Sequence, residues 1–183
     1  SLGGPEVDPG LQASVILDLL PGSYVVLCLI PDEEGIPHYM HGMHALLDVT
    51  DAVERPAPTA DAKVELVDFG FGDIPMEATA GTHVWEVANA GEQLHEFLVM
   101  RIADGVTFED VQAMLAAPPG TPAPAGPPPY AIVGGAAPMS PGEVNWAILE
   151  LEAGEYFSIC FVPDPASGAP HFALGMIMPL TVA

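Results

Sequence analysis

The stretch CLIPDEEGIPHYMHGM at residues 28–43 returns as CFVPDPASGAPHFALGM at 160–176, with a cysteine, a Pro-Asp turn, a Pro-His and a Gly-Met in the same order. Laying residues 3–49 over 134–182 extends the match, placing Tyr24 on Tyr156, Cys28 on Cys160, His38 on His171 and Met43 on Met176. The offset drifts only from 131 (Gly3 to Gly134) to 133 (Val49 to Val182), and the slips fall in turn-like stretches, so the pattern reads as a duplication. The repeat distance is that of a whole domain, yet residues 64–133 have no counterpart before Gly3. The chain is therefore read as the C-terminal half of a first domain at 1–54, a Pro/Ala-rich linker at 55–62 and one complete domain at 63–183. The half-domain carries apolar strand candidates at 13–19, 23–30 and 43–49. Its missing strands are expected from an upstream segment or from another copy in a homo-oligomer.

Short apolar or alternating runs between Gly, Pro and Asp punctuation predict an all-β fold for the complete domain, as VELVDFGF, THVWEVAN, EFLVMRI, VNWAILEL, YFSICFV and GMIMPLTV. Their turn signals favour an antiparallel sandwich. One short helix interrupts it, with Thr107 as cap of FEDVQAMLAA and Asp110 in the place of a capping-box acid. Residues 118–129, PPGTPAPAGPPP, lack the N–H groups and the freedom that sheet pairing needs, and read as a surface excursion.

Only Lys63, Arg55 and Arg101 stand against 25 acidic side chains, for a formal net charge of −22. Binding a phosphate backbone depends on Lys and Arg releasing its counterions, so nucleic acid is excluded as a partner. Anionic membrane surfaces are disfavoured for the same reason. No apolar run approaches the ~20 residues that span a bilayer. The two cysteines do not read as a disulfide framework, because they occupy equivalent points of the repeat. No nucleophile elbow, phosphate-binding loop or dinucleotide fingerprint is present.

A strand ending in Cys160, followed by a loop with His171 and then Met176, offers a soft thiolate, an imidazole and a weak thioether. His95, in NAGEQLHEF, adds a second imidazole just after a turn, and the set is the one favoured by a mononuclear copper that shuttles one electron. The run HYMHGMH, with His41 and His44 flanking Met43, also offers imidazole and thioether to copper, or is simply exposed. His83 has no partner ligand in sequence.

At these residues the segment 64–183 resembles the cupredoxins, the blue-copper family of plastocyanin and azurin. Gly154, Tyr156 and Cys160 match the family's Gly-x-Tyr-x3-Cys strand, Asn89, Gly91 and His95 its Asn-x-Gly turn before the first histidine, and His171 and Met176 its His-x4-Met ending. The resemblance implies a Greek-key β-sandwich and one type 1-like copper on His95, Cys160, His171 and Met176. It also implies an extracytoplasmic, periplasmic or secreted setting. In the half-domain Cys28, His38 and Met43 match the last three ligand positions as a partial second site. Residue 96 is Glu where smaller cupredoxins usually carry an Asn that ties the ligand loops together. The expected function is electron transfer or copper handling with a redox partner protein, a carrier rather than an enzyme. The rival is a metal-free structural or interaction module, expected if the long FVPDPASGAP loop carries His171 away from Cys160.

Overall fold

A computed structural model describes residues 1–51, 55–118, 121, 126 and 128–183. Much of the Pro-rich excursion at 118–129 lies outside the described residues. The chain forms two units, one of Ser1–Leu17 with Pro58–Ala183 and one of Asp18–Ala57. The first boundary thus falls at residue 17, inside the stretch read as a half-domain at 1–54.

The larger unit consists of two five-stranded sheets. The first orders β1 (Ser14–Leu17), β10 (Val144–Leu151), β7 (Gly81–Asn89), β4 (Ala62–Val67) and β5 (Gly70–Gly72). The second orders β6 (Glu77–Ala78), β12 (Ile177–Val182), β11 (Gly154–Ile159), β8 (His95–Ile102) and β9 (Tyr130–Met139). Val64, Leu66, Trp85, Val87 and Leu149 of the first sheet share one buried cluster with Phe97, Val99, Tyr156 and Leu180 of the second. The fold is an all-β sandwich, as the punctuated apolar runs predict.

Strand β8 is buried on both faces, which explains why EFLVM runs apolar without alternating. Phe97 and Val99 enter the central core, while Leu98 and Met100 face a second cluster with Phe157 and Val111. Val111 belongs to α1 (Phe108–Leu115), which covers the outer face of the second sheet. The predicted capping box is present, with Asp110 N–H donating to Thr107 Oγ1 at 3.1 Å and Thr107 N–H to Asp110 Oδ2 at 3.0 Å.

Two elements depart from the sequence reading. VELVDFGF is not one strand but β4 and β5, folded back at Asp68 and Phe69, the latter at φ 67°. YAIVGGAAPM, absent from the expected strands, forms β9 against β8. Gly135 lies at φ +134°, where a Cβ would overlap the Phe97 carbonyl, so the glycine is what lets the two strands pair.

The smaller unit contains β2 (Gly22–Leu27) and β3 (His44–Val49), antiparallel from Gly22↔Val49 to Leu27↔His44, and a 3-10 turn at His38–His41. Its hairpin matches β11–β12 of the larger unit even to the tyrosine hydroxyl, since Tyr24 donates to Leu20 O at 2.6 Å and Tyr156 to Glu152 O at 2.9 Å. The surroundings differ. Strand β11 pairs on its second edge with β8, and Phe157, Ser158 and Ile159 are fully buried. Strand β2 pairs only with β3 among the described residues, and Val25, Val26 and Leu27 are 59%, 57% and 42% exposed.

Two outcomes follow for stability. Gly135→Ala is expected to cost several kcal/mol, in the range of severe single mutations, read as a lower denaturant midpoint. Backbone hydrogen bonding from Thr107 holds the Asp110 carboxyl below its usual range. Its contribution is present above the unfolded carboxylate pKa and lost as pH falls through the folded value. Asp110→Asn should therefore lower the unfolding midpoint at neutral pH and change it little at pH 2, and equal losses at both would refute the assignment.

Candidate metal centre

Cys160 follows the last residue of β11, and its loop turns back at once. Pro163 and Pro170 form an isolated bridge, and Asp164 N–H donates to Ala169 O at 2.8 Å, so residues 164–169 project as a closed excursion. His171 N–H then donates to Val162 O at 2.9 Å, which returns the histidine to the cysteine. Phe172 N–H donates to Cys160 O at 2.9 Å, Met176 N–H to His171 O at 3.0 Å and Cys160 N–H to Met176 O at 3.2 Å. The long loop does not carry His171 away, contrary to the condition set for a metal-free module. Its Nδ1 lies 3.5 Å from Cys160 Sγ.

His95 opens β8 and completes the group, with its Nδ1 3.0 Å from His171 Nδ1. Donor atoms of His95, Cys160 and His171 all lie within 4.8 Å of one another, and all three residues are fully buried. Met176 is also fully buried, in the same core cluster as Cys160, with its backbone in the loop clamp.

The ring protons are settled by the neighbours. Asp68 Oδ1 lies 2.8 Å from His95 Nε2, and the His95 hydrogen bond holds its carboxyl below the usual range, so the ionised oxygen can only accept. His95 thus carries its proton on Nε2. Asp164 is held at about 2, chiefly by the Ser167 hydroxyl, and accepts from Gln93 Nε2 at 3.2 Å. That orients the amide so that Gln93 Oε1 faces His171 Nε2 at 3.2 Å and accepts its proton. Both Nδ1 lone pairs then point inward at each other across 3.0 Å, an arrangement that requires a proton or a cation between them. Burial, and next the His95 ring, pull the His171 pKa down, which disfavours the proton. Two imidazole nitrogens and a thiol in a dry site are a donor set that fits one type 1 copper ion.

Asp68 and Gln93 were not singled out by the sequence reading. Asp68 lies inside VELVDFGF, which the sequence pattern presents as one strand, and Gln93 lies in the turn before His95. A glycine completes the cradle, since a Cβ on Gly91 would lie 2.7 Å from His95 Nε2. Glu96, the residue after His95, ties the start of β8 to the loop after Cys160. Its N–H approaches Cys160 Sγ at 3.5 Å and its Oε1 accepts from Phe161 N–H at 2.6 Å. Burial pushes its carboxyl up to about 7. Burial likewise pushes the Cys160 thiol up to about 12.

The partial set lies in the smaller unit. Cys28 Sγ is 3.6 Å from His38 Nδ1, while the side chain of Met43 is exposed. His41 Nε2 lies 2.7 Å from Asp32 Oδ2, His44 Nδ1 3.2 Å from Tyr39 O and His83 Nε2 2.7 Å from Thr79 O, each engaged away from any cluster.

An all-β sandwich with a buried His-Cys-His group at one end of its second sheet is thus the class that fold and site define. No protein-family model matches the sequence, and no curated protein does. Solved structures similar to it include the dithionite-reduced auracyanin from the photosynthetic bacterium Roseiflexus castenholzii, at 22% identity and TM-score 0.43, covering 68% of this chain and 99% of that one. Auracyanin A from Chloroflexus aurantiacus, described as a "blue" copper protein, gives 21% and 0.42 over 66% of this chain and 98% of its own. A multi-copper oxidase from Pediococcus acidilactici gives 16% and 0.39, over 75% of this chain and 30% of its own. At these scores the likeness says nothing about the site, whose case rests on its own side chains.

Removing the Asp68 carboxylate should free the His95 tautomer. Long-range nitrogen-proton NMR of the metal-free chain is expected to show His95 protonated at Nε2, with a mixed His95 signal in Asp68→Ala, and copper affinity about 10–100-fold lower in that variant. An unchanged His95 signal would remove Asp68 from the site.

Proposed function

We propose that the chain is a type 1-like copper protein for electron transfer or copper handling, in which His95, Cys160 and His171 would hold the ion and Met176 would add a weak thioether donor. The observation that supports this best is the convergence of three buried donors from β8 and one clamped loop. Copper bound there would supply a one-electron couple, whose potential Met176 and the surroundings of the Cys160 sulfur would tune.

The chain's own residues supply the rest. Asp68 and Gln93 keep the ring protons on Nε2, leaving Nδ1 of both histidines free to donate. The Glu96 N–H points at Cys160 Sγ and is placed to stabilise a thiolate. With the metal-free thiol pushed up to about 12, Sγ holds its proton at neutral pH and must release it when the site fills. Burial of the donors excludes water, and the packed sandwich holds them in place. The acidic surface suits a redox partner with a basic docking face, which the field of 25 carboxylates against three cations would steer. An extracytoplasmic setting fits the same reading. No helix among the described residues is long and apolar enough to cross a membrane.

One equivalent of Cu(II) added to the metal-free protein is expected to give an intense thiolate-to-copper band in the visible range and a matching EPR spectrum. Cys160→Ser should abolish both, and Met176→Leu should keep the band while shifting the potential. Weak absorption that is unaffected by Cys160→Ser would overturn the reading.

A further inference from the structure

The two ligand loops share more than sequence. In the smaller unit Tyr39 N–H donates to Cys28 O at 3.0 Å, Met43 N–H to His38 O at 3.1 Å and Cys28 N–H to Met43 O at 3.0 Å. The same three bonds clamp Cys160, His171 and Met176. Pro31 and Pro37 bridge as Pro163 and Pro170 do, and His38 N–H donates to Ile30 O at 2.9 Å. The thiol and imidazole end at almost the same separation, 3.6 Å against 3.5 Å.

Exposure and donor count differ. No strand with a counterpart of His95 borders β2 among the described residues of this unit. Cys28 and His38 are half-buried and Met43 is 59% exposed, against complete burial of their equivalents. What remains is one thiol, one imidazole and one thioether at the surface. Two sulfurs with a single nitrogen form a soft, low-count donor set. Cu(I) is satisfied by such a set, whereas Cu(II) prefers tetragonal nitrogen and oxygen ligands and zinc asks for four donors. Of the nearby imidazoles, His41 has its Nε2 turned to Asp32 and His44 its Nδ1 turned to Tyr39 O, so neither presents that nitrogen to the Cys28–His38 pair.

We propose that Cys28, His38 and Met43 form a second, open site that takes up Cu(I). In the binding step the Cys28 S–H bond breaks, its proton leaves to solvent, and a bond from Sγ to the ion forms. Copper remains monovalent, so no oxidant or reductant is consumed. His38 donates through Nδ1 and Met43 through its thioether. Because these residues reach the surface, the ion exchanges with competing ligands, whereas the buried group is shut off from them. The proposal stands whether or not the buried group holds copper.

The test is an anaerobic Cu(I) titration of the whole metal-free chain against a chromophoric Cu(I) chelator. The wild type is expected to bind two equivalents, one of them readily removed by excess chelator. Cys28→Ser should lose that labile equivalent and keep the Cu(II) thiolate band, while Cys160→Ser should lose the band and keep the labile equivalent. His38→Gln, which leaves the cysteine in place, should weaken the labile equivalent at least tenfold and guards against a folding defect in Cys28→Ser. Identical uptake by wild type, Cys28→Ser and His38→Gln would overturn the proposal, as would uptake of Zn(II) alone. Failure of the buried site has a separate signature: one equivalent in the wild type, lost in Cys28→Ser, and no band.

Discussion

Three backbone hydrogen bonds close residues 160–176 upon themselves, and the geometry of the site depends on them. Cys160 sits where β11 ends, His171 where the loop returns, and Met176 where β12 is about to begin, so one clamp positions three side chains relative to each other. The sandwich then has to supply only one more ligand from a different strand. It does so with the first residue of β8, a strand buried on both faces and therefore poorly able to shift. The division of labour explains how a partial copy of the motif keeps its local shape in the smaller unit. The clamp is local, whereas the fourth position is tertiary.

The same clamp sets the electrostatics. A thiol, two imidazoles and a carboxyl group are brought together out of water, and burial pushes the Cys160 thiol and the Glu96 carboxyl up and the His171 ring down, each toward its neutral form. Asp68 and Asp164 stay ionised because hydrogen-bond donors surround them, and they transmit that charge inward as proton positions on the two rings. Glu96 links the layers: its backbone faces the sulfur, and its side chain holds the residue that follows the sulfur. The Glu96 carboxyl thus provides the acceptor that fixes the start of the loop after Cys160.

Much of this was legible in the sequence. Period-two alternation and Gly/Pro punctuation predict the strands, the Thr107–Asp110 pair predicts the helix start, the repeat picks out Cys160 and His171, and the turn before β8 picks out His95, the three residues whose donor atoms converge. What the sequence hid are long-range events. Asp68 and His95 are 27 positions apart, and only the fold-back of β4 onto β5 makes them neighbours. Strand β9 was not among the predicted strands, and its Gly135 meets the Phe97 carbonyl so closely that a side chain cannot stand there. The division at residue 17 was likewise invisible, since pairing of β1 with β10 depends on a sheet edge that no local pattern announces.

The bridge between Pro163 and Pro170 has a consequence for how such a chain can vary. Because the loop is pinched at its neck and His171 is set by its own bond to Val162, the excursion beyond the neck does not transmit its length to the ligands. Asp164 is the one residue past the neck with a tie to the site, through Gln93. Ser167 holds Asp164, so Pro165 and Ala166 are the natural place for insertions and for grafted peptides, where the polypeptide can lengthen or diversify while the donor geometry behind it stays constant.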